Sequence, residues 1–117
     1  MNLAPNFTKA EMQCHHCGLC LMQDKFMETL QSLRTDWGRS ISVNSGYRCK
    51  IHNQDPKVGG KPTSQHLKGN AADLDMSHLS EDEKKTFTVL CRAHFTGIGI
   101  AKTFIHVDLG PKREWVY

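Results

Sequence analysis

Apolar positions along this chain fall into short periodic stretches separated by polar and glycine-rich segments. Phe26, Leu30, Leu33 and Trp37 step by four, three and four positions. That spacing predicts an amphipathic helix starting near Asp24 and stopped by Gly38. Upstream, Thr8 and Glu11 have the spacing of a capping box, with Phe7 placed as its staple, and predict a short helix. A turn follows at the Cys- and His-rich stretch and Gly18. Ser80 and Glu83 repeat the capping-box spacing. They predict another helix, with an apolar stripe of Phe87, Leu90 and the neighbouring Val89 and Cys91.

Elsewhere the period shortens to two. Ile41 and Val43 alternate with polar residues up to Ser45-Gly46, as in a strand. Ala72, Leu74 and Met76 alternate with Ala71, Asp73 and Asp75, which places the two carboxylates on one face of a second strand. Gly97 to Ile100 and Phe104 to Asp108 read as a closing hairpin or strand pair, with Pro111 to Tyr117 as a tail. Residues 48 to 63, rich in Lys, Gly and Pro, read as loop. The order predicts an α+β fold, a small antiparallel sheet packed against helices.

Composition narrows the class. At 117 residues, with 38% hydrophobic and 23% charged positions, the chain is expected to form one domain over residues 1–117. A net charge of +3 and a pI near 8.6 suit an anionic polymer as partner. The basic residues are scattered and no aromatic ladder accompanies them, so nucleic acid is not expected. No apolar run approaches the roughly 18 residues of a membrane span. Met1 to Phe7 lacks the pattern of a signal peptide, so synthesis and retention in the cytoplasm are expected unless export uses another route.

The chemistry concentrates in Ser64-Gln65-His66-Leu67-Lys68-Gly69-Asn70-Ala71-Ala72-Asp73 and in Phe104-Ile105-His106-Val107-Asp108. Two imidazoles and a carboxylate form a set of three N/O ligands, which leaves a fourth position open on zinc, as in catalytic sites. Taken singly, His66 reads as a loop histidine and Asp73 as a strand-end carboxylate. Their relation changes this, because Gly69 permits a tight turn and the small Ala71 and Ala72 allow close packing beneath a site. If Ile105 and Val107 face the core, then Phe104, His106 and Asp108 share the other face. That arrangement fits one ligand and one base, or equally a half-buried His106 paired to Asp108.

Ser45-Gly46-Tyr47-Arg48, the S-x-H-x-x-G-x-A-x-D stretch from Ser64 to Asp73, and Gly97-Ile98-Gly99 through His106-Val107-Asp108 resemble the M15 family of zinc peptidases. That family comprises D-Ala-D-Ala carboxypeptidases and peptidoglycan endopeptidases and shares its core with the Hedgehog signalling domain. The similarity is greatest to short phage and prophage members and extends over nearly the whole chain. It implies a zinc peptidase acting on peptidoglycan stem peptides, a phage-type cell-wall lysin expected to be a monomer. It makes His66, Asp73 and His106 the zinc ligands and Arg48 the group that holds a substrate carboxylate or polarises the scissile carbonyl, with Ser64 beside it on the substrate side. Many members carry an acidic base three residues before the last zinc histidine. Here Thr103 stands in that position, and Asp108 is the nearest substitute. Thr103 also leaves open a non-catalytic, Hedgehog-like binding module that keeps its metal.

Five cysteines remain, three of them in Cys14-His15-His16-Cys17-Gly18-Leu19-Cys20. This spacing fits a structural zinc site of Cys14, Cys17 and Cys20, completed by a further partner such as Cys49. Buried thiols, or a disulfide in an oxidising space, are the alternatives. A small interaction protein of the zinc-ribbon kind is the third reading of the chain. Cys91, on its helix stripe, reads as a core residue.

Overall fold

The computed structural model describes residues 2–49 and 64–117. The expected loop over 48–63 therefore falls, from residue 50 onward, outside the described residues. The chain begins with two short antiparallel strands, β1 (Asn2–Ala4) and β2 (Phe7–Thr8), followed by the single-turn helix α1 (Lys9–Met12). Thr8 Oγ1 accepts the Glu11 amide while the Thr8 amide donates to Glu11, which closes the expected capping box. Phe7 and Met12, the residues that flank it, are both buried.

The long helix α2 (Asp24–Trp37) ends at Gly38 in the left-handed conformation, as its spacing predicts. Phe26, Leu30 and Leu33 are inaccessible to solvent. Each contributes about 1.5–3 kcal/mol by burial. Helix α3 (Glu81–His94) starts at the Ser80–Glu83 capping box, and Glu83 also pairs with Arg39 just past the end of α2. Phe87 and Cys91 form its inner face. Val89, expected on that stripe, is 60% exposed, because it lies half a turn from the Phe87–Cys91 line.

Among the described residues the main sheet has five strands, β3 (Val43–Ser45), β4 (Ala71–Asp75), β5 (Gly97–Ile100), β6 (Phe104–Asp108) and β7 (Arg113–Val116). Their order is β3-β4-β6-β5-β7; β7 runs parallel to β5 and the other pairings are antiparallel. Ala72, Leu74, Ile98, Ile105 and Val107 enter one core with the apolar faces of α2 and α3. The opposite sheet face is left for Asp73, His106 and their neighbours. This is an α+β fold, as expected. The tail expected over 111–117 is instead edge strand β7. Its side chains are mostly exposed, so no alternating apolar pattern marks it in the sequence.

Candidate metal centre

Antiparallel pairing sets Asp73 opposite His106, and the same row continues from His106 to Gly99 on β5 and Trp115 on β7. Two of the three expected ligands thus come from the rigid centre of the sheet. The third arrives on a single 3-10 turn, Gln65–Lys68, placed just before β4. Ser64 caps this turn by accepting the His66 amide on its hydroxyl at 3.2 Å. Gly69 ends it at φ 67°, where a Cβ would lie 1.7 Å from the Leu21 carbonyl oxygen. Only glycine allows the chain to pass there.

The three side chains converge. His66 Nε2 lies 3.3 Å and His106 Nδ1 3.0 Å from the same Asp73 oxygen, Oδ1. Each imidazole is fixed through its other nitrogen. His66 Nδ1 donates to the Gly46 carbonyl at 2.7 Å, and His106 Nε2 donates to Asp108 Oδ2 at 2.6 Å. Both histidines are almost wholly buried. With those protons committed, a neutral ring at either position would turn its lone pair toward the carboxylate, so either the rings take up a second proton or a cation lies between them and Asp73. The donor atoms are close enough to share one ion, all lying within 4.8 Å of one another. The set therefore fits the two-imidazole, one-carboxylate zinc site with an open position.

The charges follow from these contacts. Burial raises the Asp73 carboxyl, yet the facing His106 and His66 outweigh it and hold Asp73 well below the usual carboxylate range. For His106, burial works against the charged form, but Asp108 and Asp73 more than compensate and raise it. Asp108 is completely buried and likewise held low: burial is overcome by His106, Arg113 and the Gly110 amide. Arg113 grips both oxygens of Asp108 with its two terminal nitrogens, at 2.9 and 2.8 Å, a bidentate pairing.

Arg48 and Ser64 lie beside the three ligands. The Arg48 amide donates to the His66 carbonyl at 3.2 Å, and its guanidinium reaches Ser64 Oγ at 3.4 Å. Arg48 Nε is buried and has no hydrogen-bond partner among the described residues. Thr103 is exposed in the turn between β5 and β6, where its carbonyl accepts the Met76 amide.

Strand β7 adds residues that the sequence reading assigned to a tail. Trp115 packs 5.2 Å from the His106 ring, Tyr117 lies 6.1 Å from Trp115 and 5.2 Å from Phe104, and Arg113 stacks on Trp115 at 4.9 Å. Burial and the Asp73 charge raise the Tyr117 phenol, while Arg48 opposes them. An aromatic wall therefore stands along one side of the centre. Arg113, Trp115 and Tyr117 recur at every second position, but with Val116 between them and most of these side chains exposed the recurrence does not mark a strand.

The sequence profile of Peptidase M15 matches residues 5–108. The chain belongs to the Peptidase M15 family. Two similar curated proteins are the peptidoglycan L,D-endopeptidase MepK of Escherichia coli strain K12 and that of Shigella flexneri. Each is 28% identical over 80 residues, covering 66% of this chain and 44% of the relative. The chain thus spans less than half the length of these relatives. No helix among the described residues is long and apolar enough to cross a membrane.

The cysteine cluster differs from the set expected. Cys14 and Cys17 are joined by Cys49, not by Cys20, and the three sulfurs lie within 4.8 Å of one another. Cys20 packs against the hydrophobic core instead. Spacing within residues 14–20 cannot reveal this, because Cys49 arrives from the segment after β3.

Proposed function

We propose that this chain is a zinc-dependent peptidase that cleaves stem peptides of bacterial peptidoglycan. The observation that carries this reading is the convergence of His66 Nε2, Asp73 Oδ1 and His106 Nδ1, each ring tied off at its far nitrogen. Zinc held there supplies a Lewis acid that activates water and polarises a peptide carbonyl. Arg48, with its unsatisfied Nε, binds the substrate carbonyl or carboxylate and stabilises negative charge that develops on it. Ser64 holds both the His66 turn and the Arg48 guanidinium. The aromatic wall of Trp115 and Tyr117 gives the substrate an apolar side to lie against.

Asp108 takes a positioning role here, in place of the general base that the sequence suggested. Its oxygens are engaged by His106, Arg113 and the Gly110 amide, and the side chain is closed to solvent. It orients His106 and strengthens its basicity toward a metal. The name of the relatives favours an endopeptidase over a carboxypeptidase. The phage-type lysin setting rests on the sequence resemblance alone.

The second reading, a zinc-containing binding module without hydrolysis, gains support from the same observation. Thr103 at the family's base position is non-acidic, and Asp108, its expected substitute, has its oxygens engaged by His106, Arg113 and Gly110.

One experiment separates the two. Zinc content is measured in the wild type and in His66→Ala, and each is assayed for new amines released from peptidoglycan. Zinc and hydrolysis lost together support the peptidase, and release of peptide fragments in place of free D-alanine makes it an endopeptidase. Zinc bound tightly with no hydrolysis establishes the binding module. Full zinc content in His66→Ala overturns the assignment of the centre.

A further inference from the structure

The second cluster lies away from the sheet, on the turn after α1. Cys14 is buried, Cys17 exposed and Cys49 half-buried, and none is in a disulfide. The turn is tight: the Gly18 amide donates to the Cys14 carbonyl at 2.9 Å, and Gly18 has φ 75°. A left-handed residue directly after Cys-x-x-Cys lets the following backbone curl back over the sulfurs. The Cys49 amide points at sulfur, donating to Cys14 Sγ at 3.4 Å, which ties the segment after β3 to the turn.

A fourth side chain stands at the cluster. His16 Nδ1 lies 3.6 Å from Cys49 Sγ. Tetrahedral zinc with bonds of about 2.3 Å to sulfur and about 2.05 Å to nitrogen sets its S and N ligands about 3.6 Å apart. That edge has the right length, but His16 stands outside the set of three sulfurs that already lie within 4.8 Å of one another, so its ring has to turn inward to complete the site.

We infer that Cys14, Cys17 and Cys49 are the core of a structural site for a tetrahedral, thiophilic divalent cation, zinc in the first instance, separate from the His66–Asp73–His106 centre, and that His16 turns in as the fourth ligand to close it. Four protein ligands leave no open position, so this site does no chemistry of its own. Its effect is mechanical. It ties the turn after α1 to Cys49, and the residues just before Cys49 carry the main-chain contacts of the other centre. Gly46 accepts from His66, the Tyr47 amide donates to Met12, and the Arg48 amide donates to the His66 carbonyl. Fixing Cys49 thus fixes the strip that orients His66 and Arg48.

Cobalt substitution in the full-length chain tests this independently of any enzymatic activity. Thiolate ligands give cobalt(II) an intense charge-transfer absorption in the near ultraviolet, which imidazole and carboxylate ligands do not. The expected result is that band in the wild type, in His66→Ala and in Cys20→Ser, and its loss in Cys17→Ser, whose side chain is exposed and whose folding is checked by circular dichroism. His16→Ala is expected to keep the band with altered ligand-field absorption, because a fourth ligand has changed. Zinc content is expected to fall from about two ions per chain to about one in Cys17→Ser. A folded wild type without the band overturns the inference. So does a disulfide among these cysteines in protein purified under reducing conditions, or loss of the band in Cys20→Ser.

Discussion

The Nε2 proton of His106 is donated to Asp108 at 2.6 Å, and Asp108 is itself clamped by both terminal nitrogens of Arg113. The strand that carries a ligand therefore carries its brace two residues further on, with the second clamp contributed by the edge strand. A metal ligand held in this way loses affinity when the brace is removed.

Asp108→Asn is expected to weaken zinc binding by about 10- to 100-fold, measured by competition with a chromophoric chelator. Peptide hydrolysis at saturating zinc is expected to recover in large part. Unchanged zinc affinity with abolished turnover is the opposite outcome, and it would make Asp108 the general base.

Gly99 lies between His106 and Trp115 in the row across the sheet, and a Cβ there would sit 2.5 Å from the indole. Gly99→Val is expected to displace the indole, visible as a change in tryptophan emission. Trp115→Ala, which removes the wall without touching a ligand, is expected to keep its zinc and raise KM for peptide substrates by about three- to tenfold. A fall in zinc content would instead show that the indole supports His106.

Gly69→Ala places a methyl group against the Leu21 carbonyl at a backbone angle that L-residues avoid. A destabilisation of about 3 kcal/mol is expected, read as a lower urea midpoint at constant slope. The turn that presents His66 is expected to move with it, so zinc affinity falls in the same variant.

Glu83 is held down to about 2 by the Ser80 amide and by Arg39, from an ordinary value of 4.5. A depressed folded pKa stabilises the native state above the unfolded value and loses that contribution as pH falls through the folded one. Glu83→Gln keeps the capping geometry but not the charge. It is expected to be less stable than the wild type at neutral pH, with the difference shrinking between about pH 4.5 and 2 in acid titrations followed by circular dichroism.

The legible parts of the chain are those whose signals are local. Both capping boxes, the stop at Gly38 and the two faces of β6 follow from residues within one or two turns of each other. The convergence of the three candidate ligands is legible in part, because antiparallel pairing of β4 with β6 makes neighbours of Asp73 and His106, while His66 reaches them from the turn capped by Ser64 and ended by Gly69. Strand β7 is not legible: it lies parallel to β5 at an edge, and only Trp115 in it is even half-buried. Nor are the contacts of Asp108, since nothing in Phe104 to Asp108 tells that Arg113 will close over it. Cys49 is an expected partner of Cys14 and Cys17, but that Cys20 turns to the core instead depends on packing that spacing within residues 14–20 does not reveal.

The position of β7 also bears on the order in which the molecule matures. A nascent chain emerging from the ribosome possesses all three ligands once residue 106 has appeared, but neither Arg113 nor Trp115. Until β7 docks alongside β5, Asp108 lacks Arg113 and keeps only His106 and the Gly110 amide of its three partners, so the carboxylate that holds His106 is not yet clamped. Docking that edge strand is a non-local step with a higher entropic cost than closing the β5–β6 hairpin. On the zinc reading proposed above, full metal affinity is expected to come late in folding, with the docking of β7.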